Sequence, residues 1–261
     1  MGKFDGILIC TDLDDTFRRG EESVILNSRA VRYFLRNGGR FTFATGRSEV
    51  YMLDQPFFDL INAPAIVYNG ACVYDYATEL ALHTVPVSIT VGDFLEGVDP
   101  DSYAAAEVHI CNRGGDLLTG VPGKELGELS RSFLNAKPLK FVLVFESERE
   151  ALEFMDYARS LPLLQKDYVF RSWDVGVEIT AGTATKGHAL RFLKAHLGNI
   201  HTAIGVGNYE NDVPLLEFAD LGVAVDNALD CVKNAADWIV LPAEEGGIAD
   251  LIQRLDRNLE V

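Results

Sequence analysis

Apolar residues fall in short unbroken runs near both ends of the chain and in alternating runs through its middle. The run Gly6-Ile7-Leu8-Ile9-Cys10-Thr11, ending at Asp12, has no polar face, the pattern of a strand covered on both sides in a parallel sheet. A helix follows, with Asn27 as its N-cap, an apolar face of Ala30, Val31, Phe34 and Leu35, and Gly38 as its terminator. A second strand, Arg40 to Thr45, completes a βαβ unit, and a third, Ala65 to Tyr68, stops at Asn69-Gly70. The alternation resumes late in the chain. It gives a helix over Lys186 to His196, a strand over Thr202 to Val206, a helix over Glu210 to Phe218 and a strand over Gly222 to Val225, then a helix over Ala228 to Ala236 and a strand over Trp238 to Leu241. Such an order predicts an α/β fold with a doubly wound parallel sheet.

Between these halves the period changes to two. Glu107 to Cys111, Lys140 to Phe145 and Tyr168 to Ser172 alternate as half-buried strands, with amphipathic helices near Lys124 to Leu134 and Glu148 to Leu161. The expected organisation is a core built from residues 1–75 and 182–261, interrupted by an inserted α+β domain over 76–181.

The formal charge of −16 narrows the partners, because the average field opposes approach to nucleic acid or anionic lipid. No apolar run approaches the roughly 20 residues that span a bilayer, and Met1 to Ile9 lacks the pattern of a secretory signal. Cys10, Cys72, Cys111 and Cys231 lie far apart with no metal-ligand spacing, so they are expected as buried free thiols in a reducing cytoplasm. The oligomeric state leaves no mark on this pattern.

Chemistry concentrates where the parallel strands end, the place at which open α/β sheets bind ligands. Asp12-Leu13-Asp14-Asp15-Thr16 directly follows the first strand, and residues two apart on extended chain face the same side. Asp12 can then attack phosphorus while Asp14 serves the leaving oxygen, although a strand-ending turn of solvated acids has the same spelling. A carboxylate attacking a phosphate dianion meets repulsion of roughly 4 kcal/mol per charge pair at about 4 Å and an effective dielectric of about 20. Cations are therefore required, and magnesium with a lysine is the economical supply. Thr45-Gly46-Arg47 offers a hydroxyl and backbone amides for phosphate oxygens, or a simple N-cap turn. Lys186 opens the helix after the insertion, and Gly207-Asn208-Tyr209-Glu210-Asn211-Asp212 follows a buried strand with an amide and a carboxylate able to serve a magnesium shell.

Together these segments resemble the haloacid dehalogenase-like hydrolases and, within them, the Cof-type phosphatases with a large α/β cap of type IIB. The resemblance runs through Asp12-Leu13-Asp14-Asp15-Thr16, Ala44-Thr45-Gly46-Arg47, Asn69-Gly70-Ala71, Lys186-Gly187, Asn211-Asp212 and Ala224-Val225-Asp226-Asn227-Ala228, nearly the whole chain. It implies Asp12 as nucleophile, Asp14 as general acid and base, and Thr45 and Lys186 as phosphate-binding catalytic groups. Gly46, Arg47, Asn69, Gly70 and Asn211 are implied around the substrate. Mg2+ is implied on the Asp12 carboxylate, the Asp14 backbone carbonyl and the acids of the last loop. There the chain departs from the family: Asn208 stands where the first acid is usual, and Asp212 keeps the second. Asp15 occupies a position where glycine is common, and Arg18-Arg19 just beyond are expected on a solvated loop or a flap at the site mouth. The implied activity is a magnesium-dependent phosphatase of small phosphate esters, foremost sugar phosphates, working through an aspartyl phosphate under a hinged cap. Two alternatives stand beside it: transfer of the phosphoryl group to a sugar hydroxyl, as in a phosphomutase, and a metabolite-binding protein impaired in catalysis.

Overall fold

A computed structural model describes residues 2–259. Strand β1 (Ile7–Thr11) is followed by α1 (Glu21–Arg36), β2 (Arg40–Phe43), α2 (Glu49–Leu53), β3 (Ala65–Val67), β4 (Cys72–Asp75) and β5 (Leu80–Thr84). The middle of the chain contributes α3 (Val91–Gly97), β6 (Glu107–Cys111), β7 (Leu118–Pro122), α4 (Leu126–Leu129), β8 (Lys140–Val144), α5 (Glu148–Ser160), β9 (Asp167–Trp173) and β10 (Gly176–Ala181). The last third adds α6 (Lys186–Leu197), β11 (Thr202–Gly207), α7 (Val213–Phe218), β12 (Leu221–Val225), α8 (Asp230–Ala235), β13 (Trp238–Val240) and α9 (Gly247–Asn258).

The chain divides into two compact units, Met1–Leu82 with Lys186–Val261, and His83–Thr185. Pairing of β5 with β4 holds residues beyond Asp75 to the first unit, so its first segment runs past the composition change at Tyr76.

In the first unit a parallel sheet has the order β13-β12-β11-β1-β2. β1 is buried along its whole length, as its uninterrupted apolar run requires. The chain leaves β1 toward β2 on one side and returns as β11 on the other, so the sequence order reverses at the carboxyl end of β1. Right-handed crossovers then send α1 and α7 to opposite faces, and such a switch point is where open α/β sheets bind their ligands. Phe17, Phe41, Phe43 and Phe57 are all fully buried and form an aromatic box beside β2, with Phe17 centred 5.1 Å from both Phe43 and Phe57. The second unit has its own antiparallel sheet, β7-β6-β8-β10-β9, and its own apolar core of Phe94, Phe141, Leu143, Phe154, Val177 and Ile179.

Three local expectations are corrected. Asn27 does not cap α1. The helix begins at Glu21, after Gly20 and seven residues earlier than such a cap implies, and buried Asn27 has tertiary partners instead: its Nδ2 donates to Phe17 O at 2.8 Å and its Oδ1 accepts from Ala249 N at 3.0 Å. The helix expected near Lys124 to Leu134 shrinks to the single turn of α4 between two 3-10 turns, Gly123–Glu125 and Ser130–Ser132, where glycine and serine do little to extend a helix. Cys10, Cys72 and Cys111 are buried free thiols, but Cys231 is exposed, since α8 turns Val232 and not Cys231 inward. Among the described residues no helix is long and apolar enough to cross a membrane.

Candidate active site

Asp12 follows β1 and extends its ladder by one bond, Asp12 N to Val206 O at 2.8 Å, which fixes its backbone against β11. From α6, Lys186 reaches this strand end with its side chain fully enclosed. Its Nζ donates to Asp12 Oδ1 at 2.7 Å and to Asp212 Oδ1 at 2.6 Å. Asp212 is itself fully buried, and its Oδ2 accepts from the Asn208 and Tyr209 amides at 2.9 and 3.1 Å, which folds the loop after β11 around the carboxylate. The spacing demands glycine at position 207, where a Cβ would lie 2.3 Å from the Cβ of Asp212.

Two buried carboxylates thus share one ammonium. Burial raises the Asp12 pKa, the charge of Lys186 lowers it, and Asp212 raises it again, with about 7 as the result. Lys186 loses from burial but gains more from Asp12 and Asp212, so it is held well above the ordinary lysine range. One ammonium thus faces two carboxyl groups, and their ionised forms outnumber it by one charge.

Asp14 faces a different neighbourhood. Its Oδ2 accepts from Arg47 Nε at 3.0 Å and its Oδ1 from Arg18 Nη2. Burial raises its pKa, but Arg47 and Arg18 together outweigh that effect and hold the carboxyl below the usual range. Asp15 adopts φ 56°, the left-handed region that aspartate tolerates better than most residues.

The Thr45 segment adjoins through backbone contacts. Thr45 Oγ1 accepts from Arg47 N at 3.1 Å, Asn69 N donates to Thr45 O at 2.9 Å, and Tyr68 N donates to Arg47 O at 3.0 Å. Gly46 lies so close to Asn69 that an added Cβ would sit 3.0 Å from its side-chain nitrogen. Asn69 Oδ1 accepts from Asn211 Nδ2 at 3.0 Å, joining this turn to the loop of Asp212, and Gly70 supplies φ 102°. Among the described residues, Thr45 has no hydrogen bond to Asp12 or Lys186. Lys186, Asp12 and Asp212 therefore form one bonded group and Asp14 with its arginines another.

The available donors suit a hard divalent cation, being oxygens throughout: the carboxylates of Asp12 and Asp212, the amide of Asn208 and the backbone carbonyl of Asp14. One observation favours the fit: two buried carboxyl groups meet a single ammonium, so the ionised pair holds a negative charge that a cation would offset. Among the described residues no group of three or more acidic, histidine or cysteine side chains forms a ready cage, so a cation would rely on the neutral oxygens as well. Asn208 Oδ1 accepts from Thr16 Oγ1 at 2.9 Å, a contact that an aspartate would retain. Asn208→Asp is therefore expected to lower the half-saturating magnesium concentration several-fold without disturbing the loop. A magnesium titration of activity alongside calorimetry checks this, and unchanged saturation would remove Asn208 from the metal shell.

Arg18, expected on a solvated loop or a flap at the site mouth, is bonded to Asp14, and sequence reasoning missed Tyr51 and Gln55 beside it and the contact of Thr16 with Asn208. The available signal was the four-residue spacing of Asp14 and Arg18 within a segment that must turn sharply after the strand.

A family model for haloacid dehalogenase-like hydrolases matches residues 9–95 and 124–252. The chain belongs to this family. It is 26% identical over 290 aligned residues to the phosphatase YwpJ of Bacillus subtilis (strain 168), covering 95% of this chain and 99% of that protein. Among solved structures it shares the fold of a putative HAD/COF-like hydrolase from Plasmodium vivax, with TM-score 0.77 and 18% identity over 98% of this chain and 97% of the other. It also shares the fold of a HAD subclass IIB sugar phosphatase, with TM-score 0.74 and 18% identity over 95% and 98% of the two chains. This family member thus keeps a doubly wound core with an inserted antiparallel unit, and the Lys186 group lies at the switch point of that core.

Proposed function

We propose that this hydrolase cleaves phosphate monoesters of small metabolites, sugar phosphates foremost, through an aspartyl phosphate on Asp12. The observation that carries the reading is the enclosed Lys186 bridging Asp12 and Asp212 at the strand end. The chemical class is supported by relatives named as phosphatases, and the sugar preference by the likeness to a sugar phosphatase. Free buried thiols suit a reducing cytoplasm.

In the first step an Asp12 carboxylate oxygen bonds to phosphorus, the ester P–O bond breaks, and the leaving oxygen takes a proton from Asp14, which is loaded once the negative charge of the bound ester offsets Arg47 and Arg18. In the second, water gives a proton to the Asp14 carboxylate and bonds to phosphorus as the Asp12–phosphorus bond breaks, releasing inorganic phosphate. Lys186 holds Asp12 in place and opposes the charge that builds beside it. Thr45 and the amides after β2 orient the phosphoryl oxygens, with Gly46, Arg47, Asn69, Gly70 and Asn211 around the substrate. Mg2+ on Asp12, Asp212, Asn208 and the Asp14 carbonyl would neutralise charge on the transferring group. The unit His83–Thr185 would act as the cap, excluding bulk water and choosing the leaving group.

Asp14→Asn is expected to lower kcat by about 10² to 10⁴-fold, the range of general acid–base catalysis, with substrate still bound. Wild-type turnover in that variant would refute its role. The reading as a whole is tested by incubating the protein and magnesium with a panel of sugar phosphates and other small phosphate esters, separating free phosphate from isomerised ester. Phosphate release supports hydrolysis, isomerisation would convert the reading to a mutase, and neither product would leave a binding protein.

A further inference from the structure

We propose that Arg18 is a positioning residue that sets the orientation of the Asp14 carboxylate for proton transfer, anchored from behind by Tyr51 and Gln55. The inference rests on the assignment of Asp14 as acid and base. It begins with the backbone. Arg18 adjoins Phe17, whose ring is locked in the aromatic box, and the turn that carries both residues is closed by Arg18 N to Leu13 O and Asp15 N to Arg18 O, each 2.9 Å. The Cα of Arg18 is therefore fixed by packing and not by its own charge. Gln55, two residues before Phe57 of the same box, is fixed in the same way.

The guanidinium is then divided among three partners. Its Nη1 donates to Gln55 Oε1 at 2.9 Å, and its Nη2 donates both to Tyr51 Oη at 3.0 Å and to Asp14 Oδ1. Gln55 cannot turn its amide over without loss, because its Nε2 donates to Tyr51 O at 3.1 Å, so the oxygen is committed to Arg18. Tyr51 is held through its backbone amide, which donates to the Ser48 hydroxyl capping α2 at 3.2 Å, and its ring lies 4.8 Å from the guanidinium of Arg47. An exposed ion pair with one partner is worth little, but a planar fork with its far side already bonded loses little freedom when it grips a carboxylate. Arg47 takes the other carboxylate oxygen, so both oxygens of Asp14 have fixed donors and the group presents one direction to the strand end.

The proposal concerns orientation, and misplacement of a catalytic group by about 1 Å can cost 10²-fold in rate. The test measures kcat, KM and melting temperature with a sugar phosphate and magnesium for Arg18→Leu, Arg18→Lys, Gln55→Ala, Asp14→Asn and the Arg18→Leu/Asp14→Asn double variant. The expected result is a kcat fall of about 10- to 100-fold in Arg18→Leu with KM within about twofold, partial recovery in Arg18→Lys, and a smaller fall of the same kind in Gln55→Ala. In the Asp14→Asn background, Arg18→Leu should add little further loss, because its effect passes through the missing carboxylate. If Asp14→Asn is crippled while Arg18→Leu turns over normally, or if the two losses simply multiply, the proposal is overturned and the acid–base assignment stands. A rise in KM alone would make Arg18 a substrate contact, and a lowered melting temperature with normal kcat would make it structural; either outcome also overturns it. Normal turnover by Asp14→Asn would instead sink the underlying assignment.

Discussion

Asp12→Asn is expected to lower kcat by roughly 10⁴-fold or more, the scale on which removing the nucleophile of a covalent mechanism acts. The substitution preserves shape but removes the attacking oxygen anion. It also tests the charge account, because Asp12 and Asp212 share one Lys186 ammonium. Neutralising Asp12 leaves the fully buried Lys186 and Asp212 as a balanced pair, so the melting temperature should be no lower than that of the wild type. Lost activity together with a marked loss of stability would mean that Asp12 is structural.

Lys186→Met carries the opposite expectation for stability. The side chain lies at 1% exposure between two carboxylates, and removing one partner of a buried ionic group typically costs about 3–5 kcal/mol. Activity should fall with it, since Asp12 would be neither held nor electrostatically opposed. The cost should depend on pH. Burial already pushes Asp12 up to about 7 against the lowering charge of Lys186, and without that charge its pKa climbs further above the unfolded value of about 3.9. An acid whose folded-state pKa is raised destabilises the fold once pH exceeds the unfolded value, and the penalty grows until the folded-state pKa is passed. The gap in melting temperature between wild type and variant should therefore narrow as the pH falls from 8 to 5. A gap that stays constant or widens toward acid would contradict the assignment of Lys186 as counter-ion to an ionised Asp12.

Much of the core was legible because local pattern and tertiary role coincide. The apolar run through Cys10 forms β1 since a central parallel strand has no polar face, and strands that end together place Asp12, Thr45 and Asn208 along one edge of the first unit. Legibility failed where a side chain's partner is distant in sequence. Asn27 has the chemistry of a helix cap, yet its bonds go to Phe17 and Ala249, the second 222 residues away. Arg18 has the composition of a solvated loop, but a buried phenylalanine beside it and a glutamine 37 residues on turn it toward Asp14. The motifs named Asp12, Lys186 and Asp212 separately. That Lys186 bonds both carboxylates at once depends on how α6 packs, with Gly187 so close to Pro214 that a Cβ there would lie 2.0 Å from its carbonyl oxygen.

The central claim is covalent transfer of phosphate to Asp12, and the most direct measurement is to catch that bond. Asp14→Asn, which slows hydrolysis of the intermediate, is mixed with magnesium and substrate, quenched in acid and reduced with borohydride, which converts an aspartyl phosphate to homoserine. Peptide mass spectrometry then reads the modified position. The account predicts homoserine at residue 12, dependent on substrate and absent from Asp12→Asn, whereas an enzyme that turns over substrate with residue 12 unmodified, or that carries the label elsewhere, would contradict it.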